Sequence, residues 1–122
     1  MRLLVCGGRD YTDRDLVWRI VGRLNPAVLI QGGAAGADRL AKLWAESKGL
    51  VEIVTEPADW DLHGKAAGPM RNKLMLDKHE PDLVLAFPGG AGTDDMVAQA
   101  RRAGVPVVRA CPRLVEQQTL FA

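Results

Sequence analysis

Short apolar runs alternate along this chain with segments whose apolar residues recur at a spacing of three and four. Continuous apolar runs are typical of strands that are buried on both faces, and the wider spacing is typical of helices with one buried face. The runs predict five strands, over residues 3–6, 27–30, 51–55, 82–87 and 105–108. The spacing predicts four helices, which follow Thr12, Asp38, Pro69 and Thr93, the third running from Met70 to about His79.

Strands that alternate with helices form a parallel sheet with right-handed crossovers. We therefore predict a single-domain, three-layer α/β fold in which a mainly parallel five-stranded sheet is flanked by helices. A chain of 122 residues is long enough to build such a core without disulfides or metals. We expect the domain to span residues 1–109, with residues 110–122 as a tail that forms one short helix or is loose.

Three of the predicted strands end in glycine-rich loops. Because the carboxyl ends of parallel strands meet at one edge of a sheet, these loops are expected to lie together. Glycine lets a backbone approach a ligand closely, and the N–H groups that begin a helix favour an anion. A phosphate-bearing ligand is the prediction, and tight turns with nothing bound are the alternative. The candidate residues are Gly7, Gly8, Gly32, Gly33, Ala34, Gly36, Pro88, Gly89, Gly90, Gly92 and Thr93, of which Thr93 is also expected to cap the fourth helix.

Two cations and an amide lie near the start of the third helix. Arg71 is expected in its first turn, where a cation opposes the helix dipole, so an anionic ligand held by the guanidinium would offset that cost. The alternative is a surface arginine, or one paired with a nearby aspartate. Asn72 is a candidate to cap a loop or to contact a base edge. Lys65 is a candidate phosphate partner or a solvated lysine.

Other candidates follow the first two glycine loops and lie in the long segment between residues 56 and 68. Arg9 is expected to contact phosphate and Asp10 a ribose hydroxyl, unless the two form a salt bridge with each other. Asp38 suits a helix start by its charge alone, with a sugar contact as the second interpretation. Trp60 either stacks on a base or fixes the long loop to the core.

Composition excludes several classes of function. A net charge of +1 and an aromatic content of 5% argue against a surface for single-stranded nucleic acid. His63 has no second histidine or cysteine at ligand spacing, so we predict no metal site and no cofactor. No apolar run approaches the roughly 20 residues of a membrane span. Cys6 and Cys111 are expected to be free thiols, and without a signal-like start we expect a cytoplasmic protein.

Five segments, taken in order, resemble a known family. They are Gly7-Gly8-Arg9-Asp10-Tyr11, Gly32-Gly33-Ala34-x-Gly36-Ala37-Asp38, Ala58-Asp59-Trp60, Gly64-Lys65-Ala66-Ala67-Gly68-Pro69-x-Arg71-Asn72 and Pro88-Gly89-Gly90-x-Gly92-Thr93. Their order and spacing are similar to the YspA/YpsA-related branch of the SLOG superfamily, over about residues 1–109. The resemblance implies a Rossmann-like fold, a nucleotide-type ligand and a homodimer. The superfamily includes the Lonely Guy phosphoribohydrolases, DNA-processing protein A and sensors of nucleotide-derived signals in bacterial and phage conflict systems.

The resemblance transfers the binding residues but not the hydrolase. Lonely Guy enzymes have a motif of the form P-G-G-x-G-T-x-x-E, whose glutamate acts alongside an arginine. Arg71 matches that arginine, whereas Met96 occupies the glutamate position and cannot accept a proton.

The sequence therefore favours a sensor or sequestering protein for a nucleotide or a nucleotide-derived, possibly cyclic, ligand. A nucleotide-cleaving enzyme is the alternative, with Asp10, Asp38, Asp59 or Asp95 as its acid or nucleophile. Single-stranded DNA binding is the third hypothesis.

Overall fold

The computed structural model describes residues 1–111. Five strands form one sheet: β1 (Arg2–Cys6), β2 (Val28–Gln31), β3 (Glu52–Thr55), β4 (Leu83–Ala86) and β5 (Val107–Arg109). The helices are α1 (Arg14–Leu24), α2 (Ala37–Lys48), α3 (Trp60–His63), α4 (Ala67–His79) and α5 (Ala91–Arg102), with a 3₁₀ turn at Gly64–Ala66 between α3 and α4.

All neighbouring strands pair in parallel, in the order β3-β2-β1-β4-β5. The strand order therefore reverses between β1 and β4, whose carboxyl ends lie side by side. Ligands of open α/β sheets bind in the crevice at such a reversal. The predicted parallel α/β fold is confirmed, and its two edge strands are β3 and β5.

The helices cover the sheet on both faces and give the three predicted layers. One face packs against α1 and α2 through a core that includes Val17, Ile20 and Trp44. The other face packs against α4 and α5 through a second core that includes Met75 and Met96. The sheet between the two cores is apolar on both sides, which explains the continuous apolar runs of its central strands.

Two predicted helix starts were wrong. The helix α4 begins at Ala67, so Arg71 lies in its second turn and not at the dipole's positive end. The helix α5 begins at Ala91 with Gly90 as its N-cap, so Thr93 is already inside the helix and caps nothing. In both cases the helix takes in residues that the sequence assigned to the preceding glycine-containing segment.

The long segment between β3 and α4 also contains more regular structure than expected. Asp59 is the N-cap of α3, and its Oδ1 accepts a hydrogen bond from the Leu62 N–H at 3.1 Å. The predicted tail beyond residue 111 lies outside the described residues, and the domain boundary at residue 109 stays a prediction.

Candidate ligand-binding cleft

A cleft of about 530 Å³ opens at the carboxyl ends of β1, β2 and β4. All three glycine loops line this cleft, together with the start of α4. The loops meet there because they follow strands whose carboxyl ends lie at one edge of the sheet. Small-molecule sites in proteins are typically about 300–1,000 Å³, so the cleft is large enough for a ligand of nucleotide size. The predicted site residues that line it are Gly7, Gly8, Arg9, Gly32, Gly33, Ala34, Asp38, Trp60, Arg71, Asn72, Gly90, Gly92 and Thr93.

The first and third glycine loops pack directly on each other. The Gly8 N–H donates to the Pro88 carbonyl at 2.8 Å. A Cβ on Gly89 would lie 2.6 Å from the Gly8 nitrogen, and a Cβ on Gly7 would lie 2.9 Å from that of Phe87. Real Cβ atoms do not approach backbone so closely, so contact between the two loops alone is sufficient to require these glycines.

Gly90 and Gly92 differ from those glycines. Apart from chain neighbours and the backbone of α5 itself, a Cβ built on either residue would meet no atom of residues 1–111 within 4 Å. Neither residue is among the glycines with a positive φ. Gly90 is the N-cap of α5, and both residues line the cleft at the start of that helix. Neither crowding nor a left-handed backbone therefore explains why this turn has glycine at both places.

The half-buried guanidinium of Arg71 reaches from α4 to the loop after β2. Its Nη1 donates to the Gly32 carbonyl at 3.0 Å and to the Glu56 carbonyl at 3.5 Å, and its Nε donates to Asn72 Oδ1 at 3.1 Å. The Nη2 group donates to none of the described residues. Burial lowers the pKa of Arg71, the nearby Asp38 raises it, and repulsion from the Arg9 guanidinium lowers it again.

Asp38 is the buried carboxylate of the cleft, with only 6% of its surface exposed. Its Oδ2 accepts hydrogen bonds from the N–H groups of Gly32 at 3.1 Å and Ala34 at 3.2 Å, so it holds the loop between β2 and α2. Burial raises its pKa from 3.8 to about 6, although these two hydrogen bonds and the Arg71 charge oppose the shift. Asp38 therefore changes protonation close to neutral pH.

The amide of Asn72 is occupied by the protein itself. Its Nδ2 donates to the Gly92 carbonyl at 3.2 Å and to Asp95 Oδ2 at 3.0 Å, while its Oδ1 accepts from Arg71. Gln99 donates to the same Asp95 oxygen at 2.7 Å. Asn72 is 3% exposed, so its hydrogen bonds link Arg71 on α4 to the turn that begins α5.

Trp60 and Arg9 face each other at the rim of the cleft. The Arg9 Cζ lies 5.5 Å from the centroid of the Trp60 ring, a cation–π distance. A Cβ on Gly68 would lie 3.2 Å from the edge of the same ring, so the indole rests on the start of α4. Trp60 nevertheless keeps 47% of its surface exposed. The ring is thus both attached to the fold and accessible from the cleft.

Cys6 lies at the base of the cleft, at the end of β1. Burial, with the Asp38 charge as the second cause, raises the pKa of its thiol to about 12. Because the thiolate is the nucleophilic form, this cysteine is unsuited to covalent catalysis at neutral pH.

Five predicted site residues do not line the cleft: Asp10, Gly36, Lys65, Pro88 and Gly89. Asp10 and Lys65 are exposed. A Cβ on Gly36, whose φ is +79°, would lie 2.7 Å from the Arg9 carbonyl oxygen, so packing and backbone conformation both require glycine there. Residues that line the cleft without having been proposed are Val5, Cys6, Ala35, Pro57, Ala58, Gly68, Met75 and Ala91. Among these, Ala58 and Gly68 are named in the quoted motifs, and Ala35 and Ala91 occupy the x positions of two of them. Membership of a motif was therefore the sequence signal that could have identified these four residues.

Within residues 1–111, no group of three or more His, Cys, Asp or Glu side chains is arranged to hold a metal ion. No helix of that part of the chain has the length and apolar character needed to cross a membrane.

Comparison with known proteins agrees with this architecture. The model of the YspA, cpYpsA-related SLOG family matches residues 1–63, which contain the first two glycine loops and Asp38. The chain is also similar to the Gene 61 protein of Mycobacterium phage D29, with 37% identity over 118 residues that cover 88% of this chain and 94% of the phage protein. The family match spans half of the chain, and the phage protein matches along nearly its whole length. The chain therefore belongs to the YspA, cpYpsA-related SLOG family.

Proposed function

We propose that this protein binds a nucleotide or a nucleotide-derived, phosphate-bearing ligand in the cleft, as a sensor or a sequestering protein. The observation that supports this most directly is the pairing of two arginines with an open glycine turn at the point where the strand order reverses. Membership of the SLOG family is consistent with a nucleotide-related function.

The charges of the cleft favour an anion. Arg9 and Arg71 are close enough to repel each other, and Asp38 is the carboxylate that lines the cleft beside them. Because the pKa of Asp38 is raised to about 6, its compensating charge is weakened just below neutral pH. An anionic group bound between the two guanidinium groups would relieve their repulsion, and the unused Nη2 of Arg71 would donate to it.

The open glycine turn supports the same proposal. At Gly90 and Gly92 no contact with residues 1–111 excludes a side chain, yet both residues border the cleft at the start of α5. Side chains there would occupy the space above the first N–H groups of the helix. We infer that the phosphate approaches the backbone at this turn, where the helix dipole also favours it. A base would then lie toward the exposed face of Trp60.

Calorimetric titration tests the proposal. The wild-type protein is titrated with nucleoside mono-, di- and triphosphates, dinucleotides and cyclic ADP-ribose. Arg71→Lys keeps the charge but loses the planar fork, so we expect about 10- to 100-fold weaker binding. Arg101→Lys, on the exposed end of α5, is the matched control and should bind like the wild type. Thermal unfolding of each variant establishes that it is folded. Failure of the wild type to bind any of these ligands refutes the proposal.

A nucleotide-cleaving enzyme is the second candidate, and Asp38 is the observation that favours it. Of the four aspartates considered as acid or nucleophile, Asp38 lines the cleft, and a raised pKa suits a general acid. By contrast, Asp95 is hydrogen-bonded to Asn72 and Gln99, and Met96 is fully buried in the core. Chromatography of nucleotides incubated with the protein distinguishes the candidates. Release of free base that Asp38→Asn abolishes supports the enzyme, whereas recovery of intact ligand after heat denaturation supports sequestration.

The homodimer and the cytoplasmic location that the sequence suggested stay predictions. Sedimentation equilibrium of the full chain measures the oligomeric state directly.

A further inference from the structure

A second cleft of about 410 Å³ borders the same loop as the first. The loop residues Gly33, Ala34 and Ala35 line both clefts, so the loop is a wall common to the two. The opposite side of the second cleft is formed by α2, through Arg39, Lys42, Leu43 and Glu46. The wall is built from residues with at most a methyl side chain, and Gly33 and Ala35 are exposed. No large side chain of this loop therefore stands between the two clefts.

The two cations of the second cleft have no partners within the described part of the chain. Neither the Arg39 guanidinium nor the Lys42 ammonium forms a hydrogen bond, an ion pair or a ring contact with any of residues 1–111. They lie three residues apart on α2, a spacing that puts both on one face of the helix. Arg39 is also in the first turn of α2, where a cation opposes the helix dipole. An anion beside Arg39 would offset that cost.

We propose that the second cleft is a subsite for a second phosphate, so that the preferred ligand is a dinucleotide and not a mononucleotide. This inference rests on the proposed function of the first cleft. The first phosphate lies at the Gly90–Gly92 turn, the ligand crosses the wall at Gly33–Ala35, and the second phosphate lies between Arg39 and Lys42.

The remaining charged side chain of the second cleft indicates in which direction an anionic ligand extends along α2. Glu46 lies one turn beyond Lys42 on α2 and would repel a phosphate. Of the α2 residues that line the second cleft, Arg39 is the nearest in sequence to the shared wall. The attractive end of the second cleft therefore adjoins the first cleft, and the repulsive end limits how far an anionic ligand extends. Leu43, which is 40% exposed on the same side, offers an apolar contact for the second nucleoside.

The test compares 5′-phosphorylated mononucleotides with the corresponding 5′-phosphorylated dinucleotides, for each of the four bases, by calorimetric titration at one salt concentration. For the wild type, we expect the dinucleotide of the preferred base to bind at least about 10-fold more tightly than its mononucleotide. The double variant Arg39→Ala/Lys42→Ala should lose that advantage and keep the mononucleotide affinity to within about twofold. The matched control is Arg101→Ala/Arg102→Ala, which removes two exposed cations from α5 and should retain the advantage.

Each outcome separates the two proposals. If mononucleotides bind the wild type and dinucleotides bind no more tightly, the second subsite is refuted while the first cleft is supported. If the double variant keeps the dinucleotide advantage, the second phosphate lies elsewhere and the inference is refuted. If neither class binds the wild type, the subsite is refuted, and the wider titration described above then decides separately whether the proposed function stands. Equal losses in both double variants would show a general charge effect and would also overturn the inference.

Discussion

The buried carboxylate of Asp38 should make the stability of this protein depend on pH in a predictable direction. Its pKa is raised from 3.8 to about 6 in the folded protein, chiefly by burial. The folded state therefore binds a proton more tightly than the unfolded state does. The resulting stabilisation is fully present below pH 3.8, decreases as the pH rises, and is lost above pH 6. A shift of this size corresponds to about 3 kcal/mol of unfolding free energy.

The variant Asp38→Asn isolates this contribution. Asparagine is neutral at every pH and its side-chain oxygen can still accept the hydrogen bonds from Gly32 and Ala34. All other titrating groups are common to the two proteins, so they cancel in the difference between their unfolding free energies. We expect Asp38→Asn to gain about 2–3 kcal/mol relative to the wild type between pH 4 and pH 7, with most of the change below pH 6.

Urea denaturation at constant ionic strength, in half-unit steps from pH 4 to pH 7.5, measures this difference. Asp38→Ala is the control, because it removes the charge and the acceptor together. It should show the same pH dependence as Asp38→Asn, displaced by a constant penalty of about 1–3 kcal/mol for the two unpaired N–H groups. This prediction is refuted if the difference in unfolding free energy between the wild type and Asp38→Asn does not change with pH, because the pKa of Asp38 is then not raised in the folded protein.

Three further predictions concern the cleft. Gly89→Ala should lower stability by about 1–3 kcal/mol in urea denaturation, since its Cβ would meet the Gly8 nitrogen at 2.6 Å. Gly90→Ala should lose only about 0.5–1 kcal/mol, because alanine is a poorer N-cap than glycine, but should bind nucleotide at least about 10-fold more weakly. If a base stacks on the Trp60 ring, Trp60→Ala should weaken nucleotide binding about 5- to 100-fold, and Trp60→Phe should weaken it less. If calorimetric titration gives the variants the same affinity as the wild type, the ring has only its structural contact with α4. As the pH falls through about 6, the nucleotide affinity of the wild type should increase relative to that of Asp38→Asn, because the wild-type carboxylate then loses its charge. A ratio of the two dissociation constants that stays the same at every pH contradicts this prediction.

The sheet could be predicted from the sequence because its signals are local. Each central strand is a continuous apolar run that stops at a proline or glycine, as in β4, and the alternation with helices leaves a parallel sheet as the simplest arrangement. The common edge of the three glycine loops then follows from topology. Pro106, which lacks a donor for a sheet ladder, immediately precedes the edge strand β5, as its chemistry requires.

The details of the cleft could not be predicted because they depend on which helices become neighbours. The sequence places Asn72, Asp95 and Gln99 on two different helices and gives no sign that their side chains meet. Only the packing of α4 against α5 brings the Asn72 amide to 3.0 Å from Asp95 and makes it unavailable to a base edge. Likewise, the first turn of α5 starts earlier than Thr93 because the preceding loop is held against Gly8, a contact between residues 80 apart in the chain.

The glycines of the three loops separate into two classes, and this separation decides how much the glycine-rich motif indicates about a ligand. Gly7, Gly36 and Gly89 are required by contacts between the loops, so they would be glycine even if nothing were ever bound. A glycine-rich motif alone therefore overstates the evidence for a ligand. Gly90 and Gly92 are not required by such contacts, since a Cβ at either place would meet no other loop among residues 1–111. Gly90 still serves the fold as the N-cap of α5, where glycine is favoured over alanine. The glycine evidence for a bound phosphate therefore rests mainly on Gly92, and it supports the proposal only together with Arg9 and Arg71.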